Sequence, residues 1–320
     1  MKVLVTGAAG FIGYHVCERL LARGDTVIGL DNLDPSGDVT LKATRLSRLR
    51  AAPGFSFHRV DIREPGPCRM IFEEARPEGV VHLAAPVGER PTSLEALAYS
   101  ETNISGFLQV LERCQEARVK HLVFASSSAV YGQGTPLPFA EQAPADQPVS
   151  LSAATKRSVE LMAHSYSHLH QMPVTGLRLF TVYGPWGRPD MAPMLFLRAL
   201  LENRPLTLFG EGRMQRDFIY VTDVVEALVR VLDAPPSGKT PFRLLNVGRG
   251  VSVSMSQFVD LLEERTGMKA WVEIRPLQPG ELEVTRADLT ALERETGFRP
   301  SVTLEEGLTR LVAWYRGDES

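Results

Sequence analysis

A glycine-rich turn near the N-terminus constrains the fold more than any other feature of this sequence. The segment VLVTGAAGFIG places Gly7, Gly10 and Gly13 between a short apolar run and the first helical pattern. Glycines at this spacing allow a tight turn whose backbone approaches a pyrophosphate at the N-terminus of the helix. Because such turns also occur merely to pack a strand against a helix, the rest of the pattern is needed to distinguish the two interpretations.

Short β-rich runs alternate with longer helical patterns through the first half of the chain. The runs lie near Val3, Val27, Phe57, Val81 and Val123, and the intervening segments each carry one apolar face. This alternation is typical of a doubly wound parallel sheet. We predict an α/β, Rossmann-type domain over residues 1–180 and a smaller α/β lobe over residues 181–320, with elements that can interleave.

The composition excludes several classes of function. The 320 residues are 44% hydrophobic and 23% charged, which is ordinary for a globular protein, and the formal net charge is -3. Because basic and acidic residues are interspersed, the chain offers no broad positive surface to a nucleic-acid backbone. We expect no nucleic-acid partner.

Cysteine usage and hydropathy indicate the compartment. Cys17, Cys68 and Cys114 are far apart and show neither metal-ligand spacing nor the density of a disulfide scaffold. The N-terminal apolar run breaks into glycines, and no later run is long enough to span a membrane. The expectation is a cytoplasmic protein with no bound metal and no membrane association.

Two acidic residues follow predicted strands. Asp31 closes the second strand about 20 residues after the glycine turn, where a carboxylate accepts hydrogen bonds from an adenosine ribose. Its charge would repel a 2′-phosphate, which favours NAD over NADP. Asp61 ends the third strand, within reach of an adenine, although its spacing fits a solvated loop carboxylate nearly as well.

Several motifs then occur in a characteristic order: GAAGFIG, HLAA, SSSAVYG, AATK and LRLFTVYGP. With them the chain resembles an extended short-chain dehydrogenase/reductase of the nucleotide-sugar epimerase/dehydratase family over essentially its full length. The segments from Pro148 and from Leu179 are similar to UDP-glucuronate 4-epimerases. The resemblance implies an enzyme that oxidises the sugar at C4 with tightly held NAD, acts on the ketone and returns the hydride.

The resemblance and the glycine turn together predict the cofactor site. Most of the predicted residues follow strands at one edge of the sheet, and Lys156 and Asn103 come from helices. The predicted cofactor-binding residues are Gly7, Gly10, Phe11, Ile12, Gly13, Asp31, Asn32, Asp61, Ile62, Leu83, Ala84, Ala85, Asn103 and Lys156.

The resemblance also implies a catalytic group. Ser127 matches the hydroxyl residue that binds the sugar oxygen, and Lys156 matches the lysine that lowers the pKa of a tyrosine one helical turn earlier. A free tyrosine, with a pKa of about 10, is a poor base at neutral pH and needs that charge. Here the position four residues before Lys156 is Ser152, whose hydroxyl is a much weaker acid than a phenol.

This difference leaves the acid/base group open. Three explanations compete: an engineered variant that traps a complex, a natural enzyme that uses another group, or a protein that binds without turnover. The candidate substitutes are Glu89, in the PVGER segment that should lie near the sugar, and Tyr131. As a bare sequence feature, Glu89 fits an exposed loop charge better than a catalytic group.

Four residues are predicted to bind the nucleotide sugar. Thr181 replaces the asparagine of many relatives, Arg188 resembles an arginine near the substrate, and Glu281 matches a residue that holds the nucleotide ribose. Arg216 suits a diphosphate because its guanidinium offers a planar fork of donors. A salt bridge from Arg216 to Asp217 or Asp223 is the structural alternative.

These features favour a UDP-sugar substrate and transient oxidation at C4. The Asp-Glu pair of 4,6-dehydratases is replaced here by Ser128 and Ala129, which disfavours that reaction. A UDP-hexuronate 4-epimerase is the nearest match to the motifs. The alternatives are a UDP-N-acetylhexosamine 5,6-dehydratase of antibiotic biosynthesis and a catalytically inactive NAD/UDP-sugar-binding protein. The family resemblance further implies a homodimer.

Overall fold

The structure, a computed structural model, describes residues 1–35, 37–86, 93–277 and 282–318. Its strands alternate with helices through the first half of the chain, as the sequence pattern predicts. The strands are β1 (Lys2–Thr6), β2 (Thr26–Asp31), β3 (Phe55–Arg59), β4 (Gly79–His82), β5 (His121–Ser127), β6 (Val174–Leu179), β7 (Thr181–Tyr183), β8 (Pro205–Phe209), β9 (Gln215–Tyr220), β10 (Phe242–Val247), β11 (Ser252–Ser254) and β12 (Trp271–Arg275).

The helices cover both faces of the large sheet and build most of the C-terminal lobe. A π-helical segment, Glu101–Gly106, joins the fourth helix to the fifth. The α-helices are α1 (Phe11–Ala22), α2 (Val39–Arg50), α3 (Pro65–Ala75), α4 (Ser93–Ser100), α5 (Phe107–Glu116), α6 (Leu151–His170), α7 (Ala192–Leu201), α8 (Val221–Asp233), α9 (Met255–Thr266), α10 (Thr290–Thr296) and α11 (Leu304–Arg316).

The large sheet has seven strands in the order β10-β6-β5-β4-β1-β2-β3, and every pairing in it is parallel. The strand order reverses between β1 and β4. In such sheets, ligands bind outside the carboxyl ends of the strands at this switch point. The predicted doubly wound α/β fold is confirmed, and the glycine turn follows β1 at the expected place.

Alternation along β1 shows how the two layers of the core form. Val3 and Val5 pack in a cluster with α1 and α8 on one face, while Leu4 packs with α3, α5 and α6 on the other. Successive side chains of a strand point to opposite faces. A strand covered on both sides therefore needs a continuous apolar run, which explains the sequence VLV.

The C-terminal lobe has its own apolar core. Aromatic residues of β7, β9 and α9, including Tyr183, Phe218 and Phe258, pack with Leu308 of α11. β10 and α8 follow the predicted division at residue 180, yet β10 pairs with β6 and α8 packs on α1. The elements of the two lobes therefore interleave, and the division at residue 180 stays a prediction.

The described part of the chain contains neither a membrane-spanning helix nor a metal-binding cluster. No helix within the described ranges is both long enough and apolar enough to cross a membrane. Among the same residues, no cluster of three or more His, Cys, Asp or Glu side chains could hold a metal ion. Cys17, Cys68 and Cys114 are all buried and free.

Candidate active site

The glycine turn is packed too tightly for other residues. Gly7 has a φ of +71°, and a Cβ there would lie 2.8 Å from the Ala84 backbone nitrogen. A Cβ on Gly13 would lie 2.0 Å from the Gly7 carbonyl oxygen. Gly10 begins α1 without a side-chain cap, so the first N–H groups of the helix remain available to an anion. The turn therefore serves packing and can also bind a phosphate.

Asp31 is held in place at the end of β2. Its carboxylate accepts hydrogen bonds from the backbone N–H groups of Ala9, at 3.1 Å, and Leu33, at 2.8 Å. Lys42 on α2 lies 3.4 Å from the same carboxylate. Since this ammonium offsets part of the Asp31 charge, repulsion of a 2′-phosphate is weaker than the sequence alone suggests.

Asp61 is part of a polar cluster and is not an isolated loop carboxylate. It accepts hydrogen bonds from Asn32 Nδ2, at 3.0 Å, and from Arg63 Nε and NH2, at 2.9 and 2.7 Å. These bonds, chiefly those from Arg63, lower the pKa of Asp61 to about 2. The neighbouring Ile62 packs in the core under the sheet.

A cleft of about 410 Å³ opens at the switch point. It brings together predicted residues from the glycine turn and from the end of β4, together with Arg188. The lining includes Gly7, Gly10, Phe11, Ile12, Gly13, Leu83, Ala85, Ala125, Lys42, Arg45, Arg188 and Asp190. Arg188, predicted to bind the sugar, thus lines the cleft formed by the glycine turn and pairs there with Asp190 at 2.6 Å.

Two cations in this cleft were missed by the sequence reasoning. Arg45 is only 3% exposed, and its guanidinium donates to the carbonyl oxygens of Ala9, at 3.0 Å, and Trp186. Burial lowers the pKa of Arg45 to about 10, so it is still charged at neutral pH. Lys42 and Arg45 lie three residues apart on α2, and this helical spacing would have placed them on one face.

Ser127 and Lys156 are joined through the end of β5. Ser127 is the last residue of the strand, and its Oγ accepts a hydrogen bond from the Ala129 N–H at 3.2 Å. Lys156 on α6 donates from Nζ to the Ala125 carbonyl oxygen at 2.9 Å. Removal of the lysine from solvent lowers its pKa to about 8. The predicted serine and lysine therefore come from elements that meet directly.

Ser152 lies in the first turn of α6, one turn before Lys156. Ser150 caps the helix by accepting a hydrogen bond from Ala153, which leaves Ser152 outside the cap. Its carbonyl oxygen accepts from Thr155, while its Oγ makes no hydrogen bond to another described residue. The hydroxyl is thus available to a ligand or to water.

Tyr131, a candidate substitute proton acceptor, is buried and hydrogen-bonded. The side chain is 1% exposed, and its hydroxyl donates to Asn246 Oδ1 at 2.7 Å. Burial raises the pKa of Tyr131 to about 12, and the Arg178 guanidinium lies over its ring at 4.6 Å. Its hydroxyl is therefore already committed as a donor. Glu89, the other candidate, lies outside the described residues.

A buried ion pair joins β6 to α6, the helix that carries Lys156. Arg178 on β6 donates to both oxygens of Glu160 on α6, at 2.9 and 2.8 Å. Ser126 on β5 donates to the same carboxylate at 2.6 Å. Because Ser126 precedes Ser127 and Glu160 lies one turn after Lys156, this network fixes the strand end against the helix.

Asn103 lies in the π-helical segment beside α6. It is 2% exposed, and its Nδ2 donates to Thr155 Oγ1 at 2.9 Å. Within the described ranges its Oδ1 has no hydrogen-bond partner. π-helical turns are frequent at functional sites. Asn103 therefore orients the turn of α6 that carries Lys156, which is consistent with its predicted place near the cofactor.

The C-terminal lobe brings Arg216 to the segment that follows the undescribed residues 278–281. Arg216 donates to the Leu282 carbonyl oxygen at 2.7 Å. Asp217 and Asp223, its predicted alternative partners, instead accept hydrogen bonds from backbone N–H groups. Thr181 begins β7 and is half-buried. Glu281 lies outside the described residues.

Comparison with known proteins identifies the family. Residues 3–248 match the family described as "NAD dependent epimerase/dehydratase family". The chain is 43% identical over 330 residues to a probable UDP-glucuronate 4-epimerase of Rhizobium meliloti (strain 1021), with 98% of this chain and 97% of that protein covered. It is 39% identical over 312 residues to a UDP-glucuronate 4-epimerase of Thermodesulfobacterium geofontis (strain OPF15), covering 97% and 95%.

A solved structure agrees with this assignment. UDP-glucuronic acid 4-epimerase from Bacillus cereus, in complex with UDP-glucuronic acid and NAD, superimposes with a TM-score of 0.92 at 32% identity. The alignment covers 100% of both chains. The predicted resemblance is therefore confirmed at the level of the family. The chain belongs to the NAD dependent epimerase/dehydratase family.

Proposed function

We propose that this chain is an NAD-dependent UDP-hexuronate 4-epimerase. The observation that carries the proposal is the hydrogen bond from Lys156 to Ala125, which lines the cleft at the switch point and lies two residues before Ser127. Family membership supports NAD as the cofactor, and the similarity to UDP-glucuronate 4-epimerases over nearly the whole chain supports the substrate.

The residues of the cleft fit a dinucleotide. The N-terminus of α1 and the cations Lys42 and Arg45 would bind a pyrophosphate, and Asp31 would accept hydrogen bonds from a ribose. Gly7 and Gly13 allow the turn to form, because a Cβ at either position would clash with neighbouring backbone atoms. When bound, NAD supplies a hydride acceptor that later returns the hydride.

The protein groups act on the sugar hydroxyl at C4. Ser127 would hydrogen-bond this oxygen, and Lys156 would provide the charge or the base that balances the departing proton. Ser152 stands where the resemblance implies a tyrosine. We therefore infer that this enzyme transfers its proton by a route that does not use a phenol at that position.

The remaining residues would bind the UDP group and the sugar. Arg216 would bind the diphosphate of the UDP group, and Glu281, which is outside the described residues, would contact the nucleotide ribose. Thr181 and Arg188 would approach the sugar or its carboxylate from the segment after β6. Closure between the lobes would exclude water from the ketone formed at C4.

The oligomer and compartment also remain proposals. Large apolar side chains are exposed on two neighbouring helices, with Leu97 of α4 exposed by 66% and Leu169 of α6 by 71%. Burial of these side chains against a second copy would stabilise a dimer. We propose a homodimer in the cytoplasm.

One experiment distinguishes the reactions. The protein is incubated with NAD and UDP-glucuronate, beside UDP-glucose and UDP-N-acetylglucosamine, and the products are followed by mass and by NMR. We expect an isobaric C4 epimer from UDP-glucuronate. A product lighter by one water would favour a dehydratase, and tight binding without conversion would favour an inactive NAD/UDP-sugar-binding protein.

A further inference from the structure

The serine at position 152 raises the question of which group takes the proton from the sugar. The Ser152 hydroxyl is too weak an acid, and too weak a base, to accept the proton of the substrate hydroxyl at neutral pH. Tyr131 is buried, with its hydroxyl committed to Asn246. His82 on β4 is buried and hydrogen-bonded to Thr6 Oγ1 at 2.8 Å, and burial lowers its pKa to about 3. None of these three groups can serve.

Lys156 is the ionisable group that remains beside Ser127 in the described part of the chain. It is half-buried, and its Nζ donates to the neutral carbonyl oxygen of Ala125. Among the described residues, no carboxylate forms an ion pair with it. An ammonium withdrawn from water without a counter-charge is disfavoured relative to the neutral amine. Lysine is known to act as a base under these conditions.

The carboxylates on the elements packed against α6 are already neutralised by arginines. His82 on β4 faces Lys156 and carries no negative charge. The neighbouring ion pairs are Glu160 with Arg178 and Arg157, Glu101 with Arg63, and Glu112 and Glu116 with Arg113. The charge on Lys156 is therefore left uncompensated by the described protein.

We propose that Lys156 is itself the proton acceptor, in place of the tyrosine that the resemblance implies at position 152. This inference rests on the proposed C4 oxidation. The proton of the C4 hydroxyl passes to the lone pair of the neutral amine, directly or across a bound water. The hydride on C4 leaves with its electron pair for the nicotinamide, and the C–O bond becomes a carbonyl. Return of the hydride to the opposite face of the carbonyl carbon, and of the proton to its oxygen, gives the epimer, and no other oxidant is needed.

Proton transfer to Lys156 would add a positive charge while hydride transfer would remove one from the cofactor. A cationic nicotinamide ring near Lys156 would favour the neutral amine, and a neutral ring would favour the ammonium. The burial of Lys156 contributes in the same direction, because it lowers the pKa to about 8 before any cofactor charge acts. Proton and hydride transfer therefore assist each other.

Four proteins test the proposal: the present chain, Lys156→Arg, Ser152→Tyr and the double variant. Arginine keeps a positive charge near the cofactor but does not deprotonate in proteins. NAD content and circular dichroism establish that each protein is folded and loaded. Oxidation of UDP-glucuronate is then followed by NADH formation and by C4 epimer, across a range of pH.

We expect Lys156→Arg to lower the rate about 10²- to 10⁴-fold when position 152 is serine. With tyrosine at position 152, the same substitution should cost much less, because the phenol supplies the base and arginine the charge. Equal losses in both backgrounds would overturn the proposal. A present chain that is inactive at every pH, beside an active Ser152→Tyr protein, would overturn both the proposal and the proposed function, whereas equal losses in an active present chain would leave the proposed function standing. Failure of all four proteins would contradict the proposed function as well.

A second measurement does not depend on turnover. The lysines are labelled with ¹³C at Cε, and the Lys156 signal is assigned by its absence in Lys156→Arg. We expect its titration midpoint near pH 8, and lower after NAD is added. A midpoint at the ordinary lysine value of about 10.4, with and without NAD, would overturn the proposal.

Discussion

Lys156 donates from Nζ to the carbonyl oxygen of Ala125 at 2.9 Å. This bond connects α6 to the strand that ends at Ser127, two residues later. The ion pair of Glu160 with Arg178 and the hydrogen bond of Ser126 hold the same helix and strand from the buried side. Ser127 and Lys156, the proposed catalytic residues, are therefore held by a rigid framework before any ligand binds.

Removal of the Ser127 hydroxyl tests its assigned role. Ser127→Ala should lower the rate of C4 oxidation about 10²- to 10³-fold, because a positioned donor to the reacting oxygen is lost. Ser165→Ala, at an exposed position of α6, is the control and should leave the rate unchanged. The measurement is kcat for UDP-glucuronate. Equal rates for the two variants would exclude Ser127 from the reaction.

Arg45 should hold the pyrophosphate of NAD. Arg45→Ala removes a charged donor from the cleft, and such a loss typically costs about 1.5–3 kcal/mol, or ten- to a hundredfold in affinity. NAD binding to cofactor-free protein is measured by calorimetry. Arg50→Ala, at the exposed end of the same helix, is the control. An unchanged Kd in a folded Arg45→Ala protein would refute the assignment.

The expected role of Arg216 is confined to the UDP half of the substrate. Arg216→Ala should weaken UDP binding about ten- to a hundredfold, for the same physical reason, and leave NAD binding intact. Arg213→Ala, an exposed arginine paired with Glu211, serves as the matched control. If Arg216→Ala weakened NAD binding and left UDP binding unchanged, the assignment of Arg216 to the UDP diphosphate would be contradicted.

The buried ion pair of Glu160 with Arg178 should contribute strongly to the free energy of unfolding. Glu160→Ala would leave Arg178 charged and unpaired in the core, which costs about 3–5 kcal/mol. Glu226→Ala removes a surface carboxylate and should change the free energy of unfolding by about 1 kcal/mol or less. Denaturant titrations of both variants measure these changes in the free energy of unfolding. Similar small changes for both variants would contradict the structural role of Glu160.

Much of the fold could be predicted from the sequence because its signals are local. Alternating apolar runs predict the parallel sheet, and the glycine turn and Asp31 follow β1 and β2 as expected. The family resemblance predicts a catalytic serine and lysine at Ser127 and Lys156, and the structure brings their two elements together through Ala125.

The contacts that the sequence did not predict join residues far apart in the chain. Tyr131 bonds Asn246, and Arg216 bonds Leu282. Position in a strand or loop does not tell which way a side chain points, so the sequence does not show that the Tyr131 hydroxyl is buried against Asn246. The three-residue spacing of Lys42 and Arg45 predicts that they share one face of α2. The ion pair of Lys42 with Asp31 depends on how α2 packs on the sheet, which the sequence does not show.

The most direct measurement of C4 oxidation follows the hydrogen on that carbon. UDP-glucuronate deuterated at C4 is incubated in ordinary water with the NAD-loaded protein, and the product is examined by NMR and mass spectrometry. If the hydride leaves and returns within one active site, the C4 epimer forms with the deuterium still on C4. Loss of that deuterium to solvent, or a product that has lost water, would contradict a 4-epimerase that works by transient oxidation.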